Sequence, residues 1–392
     1  MINYTRTVRT CYLSTCTQAL IVNLPPLLFT LFERDYGMNY ERLGRLVLIN
    51  FVTQLIVDAI AARLADGVGY RRCLVAAHLA AALGLALYGL LPLFLPKDML
   101  YAGLCLATVI FSMGGGLIEV LVSPIVNEIG GHLGAGAMTL LHSFYCWGQM
   151  LTVLFSTVLL RFLPDGMWHA VPLLWTAVPL ATTAGFATCP MAEPGMSETP
   201  AIPLSRLLRN GPFWLAVALM ACGGASEIAM AQWASLFAEQ GVGVSKLAGD
   251  LLGPCLFAVL MALVRMLYGK FENKLQLEKI LRWSAVACMA CYFLAALSKN
   301  AALALAACAL TGATVALMWP GILHRSAGRF PGGGTGLFGM LALGGDVGCS
   351  LGPWMIGLIG DRAGLRPALL AGAAFPAGFL ALMFVGRREE KA

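Results

Sequence analysis

Residues 73–96 read CLVAAHLAAALGLALYGLLPLFLP, twenty-four positions without an Asp, Glu, Lys or Arg. About 20 such residues wound as a helix cross the roughly 30 Å of hydrocarbon in a bilayer. A strand of a membrane barrel would alternate apolar and polar side chains, and this run does not. The whole chain agrees with the local reading. Its 392 residues are 59% hydrophobic and 12% charged, with a mean hydropathy of +0.79. Ordinary soluble domains carry about 25% charged residues. A water-soluble protein this apolar could not cover its own surface, so the solvent must be lipid.

Outward from 73–96, comparable runs fall at approximately 8–33, 41–65, 98–129, 136–162, 167–188, 211–239, 249–270, 278–297, 300–323, 333–360 and 366–386. The expectation is an all-α polytopic membrane protein with twelve transmembrane helices and almost nothing left over for a soluble domain. The first apolar segment is too long for a signal peptide, and the N-terminus has no clear cleavage site. Residues 189–210, CPMAEPGMSETPAIPLSRLLRN, break the pattern with four prolines and two arginines. They read as a cytoplasmic linker between an N-terminal six-helix bundle, 1–188, and a C-terminal one, 211–392.

Charge sets the expected orientation. With the N-terminus cytoplasmic, sixteen Lys and Arg fall on the inner side and nine on the outer, with Arg265 inside a span. That excess places both termini inside, in a bacterial cytoplasmic membrane. The basic residues are scattered over short loops, whereas a nucleic-acid partner would need a concentrated basic face. The loops are too short to hold a water-exposed catalytic constellation, so no enzyme is expected. The twelve cysteines lie mostly inside spans, where they pack. CMAC at 288–291 has no companion pair, and GGG at 114–116 and 332–334 is not followed by Lys-Ser/Thr. Neither a metal nor a cofactor is therefore expected. One chain holds both halves, and a monomer is expected.

The halves echo each other weakly. AARLADGVGYRR (61–72) follows the second span and LVRMLYGKFENK (263–274) follows the eighth, with Arg63 and Arg265 at matching places. Repeated halves around a central site are a common transporter plan. In the first copy, Asp66, Gly69, Arg71 and Arg72 form D-x-x-G-x-R-R in a tight loop. Glycine permits the turn. The arginines are expected to hold the aspartate and to cap the C-terminal end of the second helix, a clasp able to form in one conformation and break in another. The plainer alternative is positive-inside topology with one salt bridge.

This loop resembles the signature G-x-L-x-D-R-x-G-R-R of the major facilitator superfamily, with Ala62 in place of the first glycine and Gly67 in place of the basic residue after the aspartate. The resemblance covers essentially the whole chain. It implies two pseudo-symmetric six-helix bundles, a cavity between them and alternating access.

Several polar residues stand inside the apolar runs. A charge near the bilayer centre costs about 3 kcal/mol on insertion scales and usually faces a protein interior or a water-filled path. Glu119 lies nine residues from Glu128, about 13 Å along a helix. A carboxyl group there is a candidate proton carrier; the alternative is a glutamate fixed by a helix–helix hydrogen bond. His142, early in the fifth span, titrates near neutrality and is a candidate proton partner, or else a packed histidine. Glu227, about 24 Å into the seventh span, and Asp346 in the eleventh are further candidate proton carriers. Gln232 and Trp233 follow Glu227 within two turns, and an acid, an amide and an aromatic together suit a sugar; the alternative for Trp233 is an interfacial belt. Gln18, Asn23, Asn50 and Gln54 are candidate cavity contacts. Asp58, five residues before Arg63, is expected to belong to the clasp more than to the site.

Four of these stretches narrow the resemblance. GGGLIEVLVSPIVNE, LLHSFYCWG, GASEIAMAQW and GGDVGCSLGPWMIGLIGD are similar to the fourth-, fifth-, seventh- and eleventh-span patterns of the fucose permease branch, the sugar–proton symporters. There the fourth-span acid, here Glu119, is implied in substrate and proton coupling. That branch also uses a first-span aspartate, which this sequence lacks, so fucose itself is not implied. The expectation is a proton-coupled symporter of a sugar or similar small polar solute, with sodium as the other coupling ion the same carboxylates suit. The rival is a drug–proton antiporter, whose Gly-Pro motif normally sits in the fifth span, where this chain has HSFYCWGQM.

Overall fold

The computed structural model describes residues 4–133, 136–164, 166–191, 204–271, 274–330 and 334–389. Every described element is a helix. Among the described residues, twelve stretches are long and apolar enough to cross a membrane: Thr5–Tyr36, Tyr40–Ala61, Tyr70–Phe94, Lys97–Ser123, Leu140–Phe162, Met167–Thr188, Gly211–Gly241, Lys246–Phe271, Leu277–Leu297, Ala301–Arg329, Gly336–Ala363 and Leu365–Val385. They are numbered below as spans one to twelve. The protein is thus a multi-pass membrane protein, with ends within several residues of those read from the sequence.

Each span divides its faces between protein and lipid. In the third, Leu74, Ala77, His78, Ala81, Leu85 and Tyr88 are buried, while Leu79, Leu83, Leu90 and Leu93 are exposed. Leucines left outside at helical spacing are stable only against hydrocarbon.

Prolines break several spans, because Pro supplies no N–H to the carbonyl four residues back and its ring crowds that carbonyl. The first span stops at Leu27 and restarts at Phe29, after Pro25 and Pro26. The tenth runs Ala301–Val315 and then Met318–Arg329. Pro320 stands four residues after Ala316 and leaves its carbonyl without the usual helical donor.

The chain divides into two compact units, 1–38 with 49–195, and 39–48 with 196–392. The sequence placed the divide at the 189–210 linker, of which 192–203 lie outside the described residues. The added feature is that residues 39–48, the start of the second span, group with the second unit. Asp361 shows why: its Oδ1 accepts the Tyr40 N–H at 2.7 Å and its Oδ2 the Glu41 N–H at 2.8 Å. A carboxylate there satisfies donors a helix start leaves open and meets the positive end of its dipole. Trp354 Nε1 also donates to Glu41 Oε1 at 3.2 Å.

The two units repeat one packing plan. In the first, span one packs on span five and span three on spans four and six; in the second, span seven packs on eleven and span nine on ten and twelve. Small residues set these approaches. Gly148 lies on Cys16 and Ala19, and Gly114 on Ala77 and Ala81. Along the seven–eleven seam, Gly344, Gly348 and Gly352 sit on Val217, Ala221 and Ala225. Both series advance by four residues, so one face of each helix meets the other in register.

Candidate functional site

Inside the first unit, three spans contribute polar side chains to one continuous chain of hydrogen bonds. Ser112 Oγ donates to Asn50 Oδ1 at 2.6 Å, and Gln54 Nε2 donates to the same oxygen at 2.8 Å. Gln18 Nε2 donates both to Gln54 Oε1 at 2.7 Å and to Glu119 Oε2 at 3.0 Å. The order is Ser112, Asn50, Gln54, Gln18, Glu119. The amide of Gln18 lies between two acceptors, which fixes which end carries the nitrogen. Both its N–H groups are then committed, and its buried Oε1 has no donor among the described residues. A buried acceptor of this kind is costly unless something donates to it. It is suited to a hydroxyl hydrogen.

Local sequence puts these groups together. Asn50, Gln54 and Asp58 recur every four residues, so they share one face of the second span. Ser112 and Glu119, seven apart, share one face of the fourth. The triplet Gly114–Gly116 makes room: a Cβ on Gly115 would stand 2.8 Å from Ile21 Cδ1 and 3.1 Å from Gln18 Oε1, and one on Gly116 would stand 2.7 Å from Asp58 Oδ1 and 2.9 Å from the Gln54 carbonyl. These glycines therefore give the polar chain its space. The second GGG, 332–334, begins outside the described residues.

Asp58, expected in the loop clasp more than in the site, packs against Gly116 one turn from Gln54, and its carboxylate lies within 4.8 Å of that of Glu119. The second span turns it toward the fourth because it continues the Asn50–Gln54 face. Two carboxylates so close and away from water repel each other unless a proton or a cation stands between them. Asn23 turns its amide back on its own helix, donating to the Ala19 carbonyl at 2.9 Å. His142 is half-buried on the fifth span, and Cys146 Sγ leans on its carbonyl at 3.7 Å.

The loop after the second span is partly described. The side chains of Arg63 and Asp66 lie outside the described residues. Gly69 has φ 92°, the left-handed region that a side chain resists, and it starts the third span. Arg71 was expected to cap the second helix and to hold Asp66. It donates to the carbonyls of Phe186 at 3.0 Å, Ala187 at 2.8 Å and Cys189 at 2.8 Å. A guanidinium at those carbonyls satisfies the last turn of the sixth span and its negative dipole end. Arg72 is exposed.

In the second unit, Glu227 pairs with Arg265 at 3.5 Å, each side chain about a tenth exposed, 11% and 10%. The Arg265 Nε–H donates to the Ala316 carbonyl at 2.9 Å, the group that Pro320 leaves open. Arg265, at the place in the second half that matches Arg63, meets an acid of the seventh span and the break in the tenth. Trp233 is completely buried, with Nε1 donating to the Pro353 carbonyl at 2.9 Å and its ring edge-to-face with Tyr40 at 6.0 Å. Packing thus replaces the cavity contact or interfacial belt expected of it. Gln232 is buried beside it, and Asp346 is buried on the eleventh span, where its carbonyl accepts from Ser350 Oγ at 2.7 Å.

Sequence reading missed Ser112 and His78. The seven-residue step from Ser112 to Glu119 was a usable signal. His78 is buried between Ser14 Oγ at 2.9 Å and the Leu74 carbonyl at 2.7 Å. One polar residue in an apolar run carried no sign of its partner sixty-four positions away.

Comparison with known proteins bears on this arrangement. The sequence profile of the Major Facilitator Superfamily matches residues 11–353. Solved structures of the same fold include the E. coli fucose:proton symporter FucP, 18% identical over 98% of this chain and 99% of that one, with a TM-score of 0.66. A D-xylose-proton symporter is 13% identical over 97% and 96%, with a TM-score of 0.80. A bacterial homolog of the human lysosomal transporter Spinster is 14% identical over 99% and 98%, with a TM-score of 0.77. Comparison with curated protein sequences finds no match.

Proposed function

Because this chain belongs to the major facilitator superfamily of membrane transporters, we propose that it is a proton-coupled symporter of a sugar or similar small polar solute, working by alternating access. The single observation that carries this reading is the polar chain from Ser112 to Glu119, with the Asp58 carboxylate beside it. The Gln18 amide donates to Glu119 while its own Oε1 awaits a donor, so one side chain links a proton-binding carboxyl to a hydroxyl-binding acceptor. A proton on the Asp58–Glu119 pair removes one negative charge before the loaded carrier reorients, a saving of about 3 kcal/mol on insertion scales. Both symporter structures named above carry sugars, which supports the same solute class. The protein works as a monomer in a bacterial cytoplasmic membrane with both termini inside, and sodium is the other ion the two carboxylates suit.

The test is charge movement in proteoliposomes given monosaccharides, disaccharides and cationic drugs under a proton gradient without sodium. An inward current with one sugar, reduced roughly tenfold or more in Glu119→Gln because proton transfer there is removed, is the expected outcome. A sugar current unchanged by Glu119→Gln sinks the assignment of Glu119. Silence with every sugar and a response to cationic drugs turns the reading to antiport.

A further inference from the structure

The Gln18 side chain joins the two ends of the polar chain, and what aims it lies one turn away. Ser14 and Gln18 are four residues apart, so they share one face of the first span, about 6 Å apart along its axis. Thr15, Thr17 and Asn23 turn their polar groups back on carbonyls of their own helix, whereas Ser14 and Gln18 reach other spans. Ser14 Oγ meets His78 Nε2 of the third span at 2.9 Å, and the ring's other nitrogen, Nδ1, meets the Leu74 carbonyl at 2.7 Å. A carbonyl only accepts, so Nδ1 carries the hydrogen, and in the neutral ring Nε2 accepts from the Ser14 hydroxyl. Both residues are fully buried, and the ring packs on Phe186 of the sixth span with centroids 5.3 Å apart. On its other side the first span lies on the fifth mainly through apolar contact: Tyr12 stacks on Phe144 at 4.6 Å, and Gly148 lies on Cys16 and Ala19. Apolar burial is not directional, while a hydrogen bond weakens steeply off its angle. The Ser14–His78 bond is therefore the contact that fixes how the Gln18 face of the first span is turned.

From this geometry we propose that His78, acting through Ser14, is a positioning residue for the Gln18 side chain and thereby sets the affinity for the transported solute. The proposal rests on the symporter reading above, in which Gln18 Oε1 takes a solute hydroxyl. With Ser14 tied to the third span, Gln18 Nε2 stays between Gln54 Oε1 at 2.7 Å and Glu119 Oε2 at 3.0 Å, and Oε1 keeps one direction. Without the tie, the first span keeps its packing on the fifth but loses the bond that fixes its rotation. Gln18 Oε1 then spreads over several directions, and the solute must pay to order it. Binding weakens, while the loaded carrier, once formed, reorients at nearly its usual rate.

Two substitutions of one residue separate this role from plain packing. In His78→Gln the Oε1 of the new side chain reaches the place of Nε2 and accepts from Ser14; in His78→Asn the side chain ends at the place of Nδ1 and does not reach it. Sugar uptake by the full-length protein in proteoliposomes is measured for both and for Ser14→Ala, with KM and maximal rate per folded carrier recorded separately. KM is expected to rise roughly threefold to tenfold in Ser14→Ala and His78→Asn, what one neutral hydrogen bond supplies, with the maximal rate within about twofold of the unaltered protein. His78→Gln is expected to keep the original KM. If Ser14→Ala does not fold, His78→Asn against His78→Gln is the pair to read. The second readout needs no transport: the side-chain amide resonance of Gln18, in protein carrying isotope-labelled glutamine and assigned by its loss in Gln18→Met. It is expected to move in Ser14→Ala and His78→Asn and to stay in His78→Gln. Equal rises in KM for His78→Gln and His78→Asn, or a fall in maximal rate with KM unmoved, leave symport standing and overturn the positioning role. No uptake of any sugar overturns the symporter reading; the amide resonance then decides the positioning by itself, and a Gln18 signal unmoved in Ser14→Ala overturns it.

Discussion

At the scale of single residues, the difference between Gly115 and Gly116 makes the site testable without touching a charged group. A Cβ on Gly115 meets the ends of the Ile21 and Gln18 side chains, which can swing aside. A Cβ on Gly116 meets the Gln54 carbonyl at 2.9 Å and its Cα at 3.1 Å, and backbone does not yield. Overpacking of this kind costs about 1–3 kcal/mol. Gly116→Ala is thus expected to lower thermal stability in detergent clearly more than Gly115→Ala. Equal melting temperatures for the two would mean that the second span can shift away from the fourth. Arg71 shows how far one residue's role depends on what surrounds it. Its charge and its place in the loop were plain in the sequence, and the helix it caps lies more than a hundred positions away.

At the scale of elements, the eleventh span carries glycines of two kinds. Gly348 lies on the Ala221 backbone, whereas a Cβ on Gly339 would meet nothing within 4 Å. Helix propensity favours Ala over Gly by about 1 kcal/mol at an open position, while a branched side chain forced onto backbone costs about 1–3 kcal/mol. Gly339→Ala is expected to raise the unfolding temperature and Gly348→Val to lower it. Thermal unfolding of both variants checks this, and shifts of the same sign would contradict the seven–eleven register. The broken tenth span belongs to this scale too. A proline four residues after Ala316 is visible in the sequence, but which side chain answers the opened carbonyl is decided by how spans eight and ten pack.

For the whole molecule, the division into two units runs through the second span and not only through the linker. The bonds from Tyr40 and Glu41 to Asp361 hold residues 39–48 in the second unit. A capping carboxylate is worth about 1 kcal/mol. Asp361→Ala is expected to speed amide exchange at Tyr40 and Glu41 several-fold while leaving the helix beyond residue 49 unchanged. Equal acceleration along the whole span would show that the helix moves as one body and that the division at 48 carries no mechanical meaning.

The twelve spans, the two-unit plan and the family were legible in the chain alone, because length and hydropathy decide what crosses a bilayer and both are local sums over neighbouring residues. The other polar residues of the candidate site, Ser112 excepted, were legible for the same reason: each stands out against an apolar run. Their pairings were not. Asp58 lies by Glu119, Trp233 donates to Pro353, Arg265 meets Ala316 and Glu227, and each outcome depends on the rotation of one helix against another. Periodicity within a helix says which residues share a face; it does not say which neighbour that face meets. Only the packing of small residues across the seams sets those rotations, and with them the distances on which the chemistry depends.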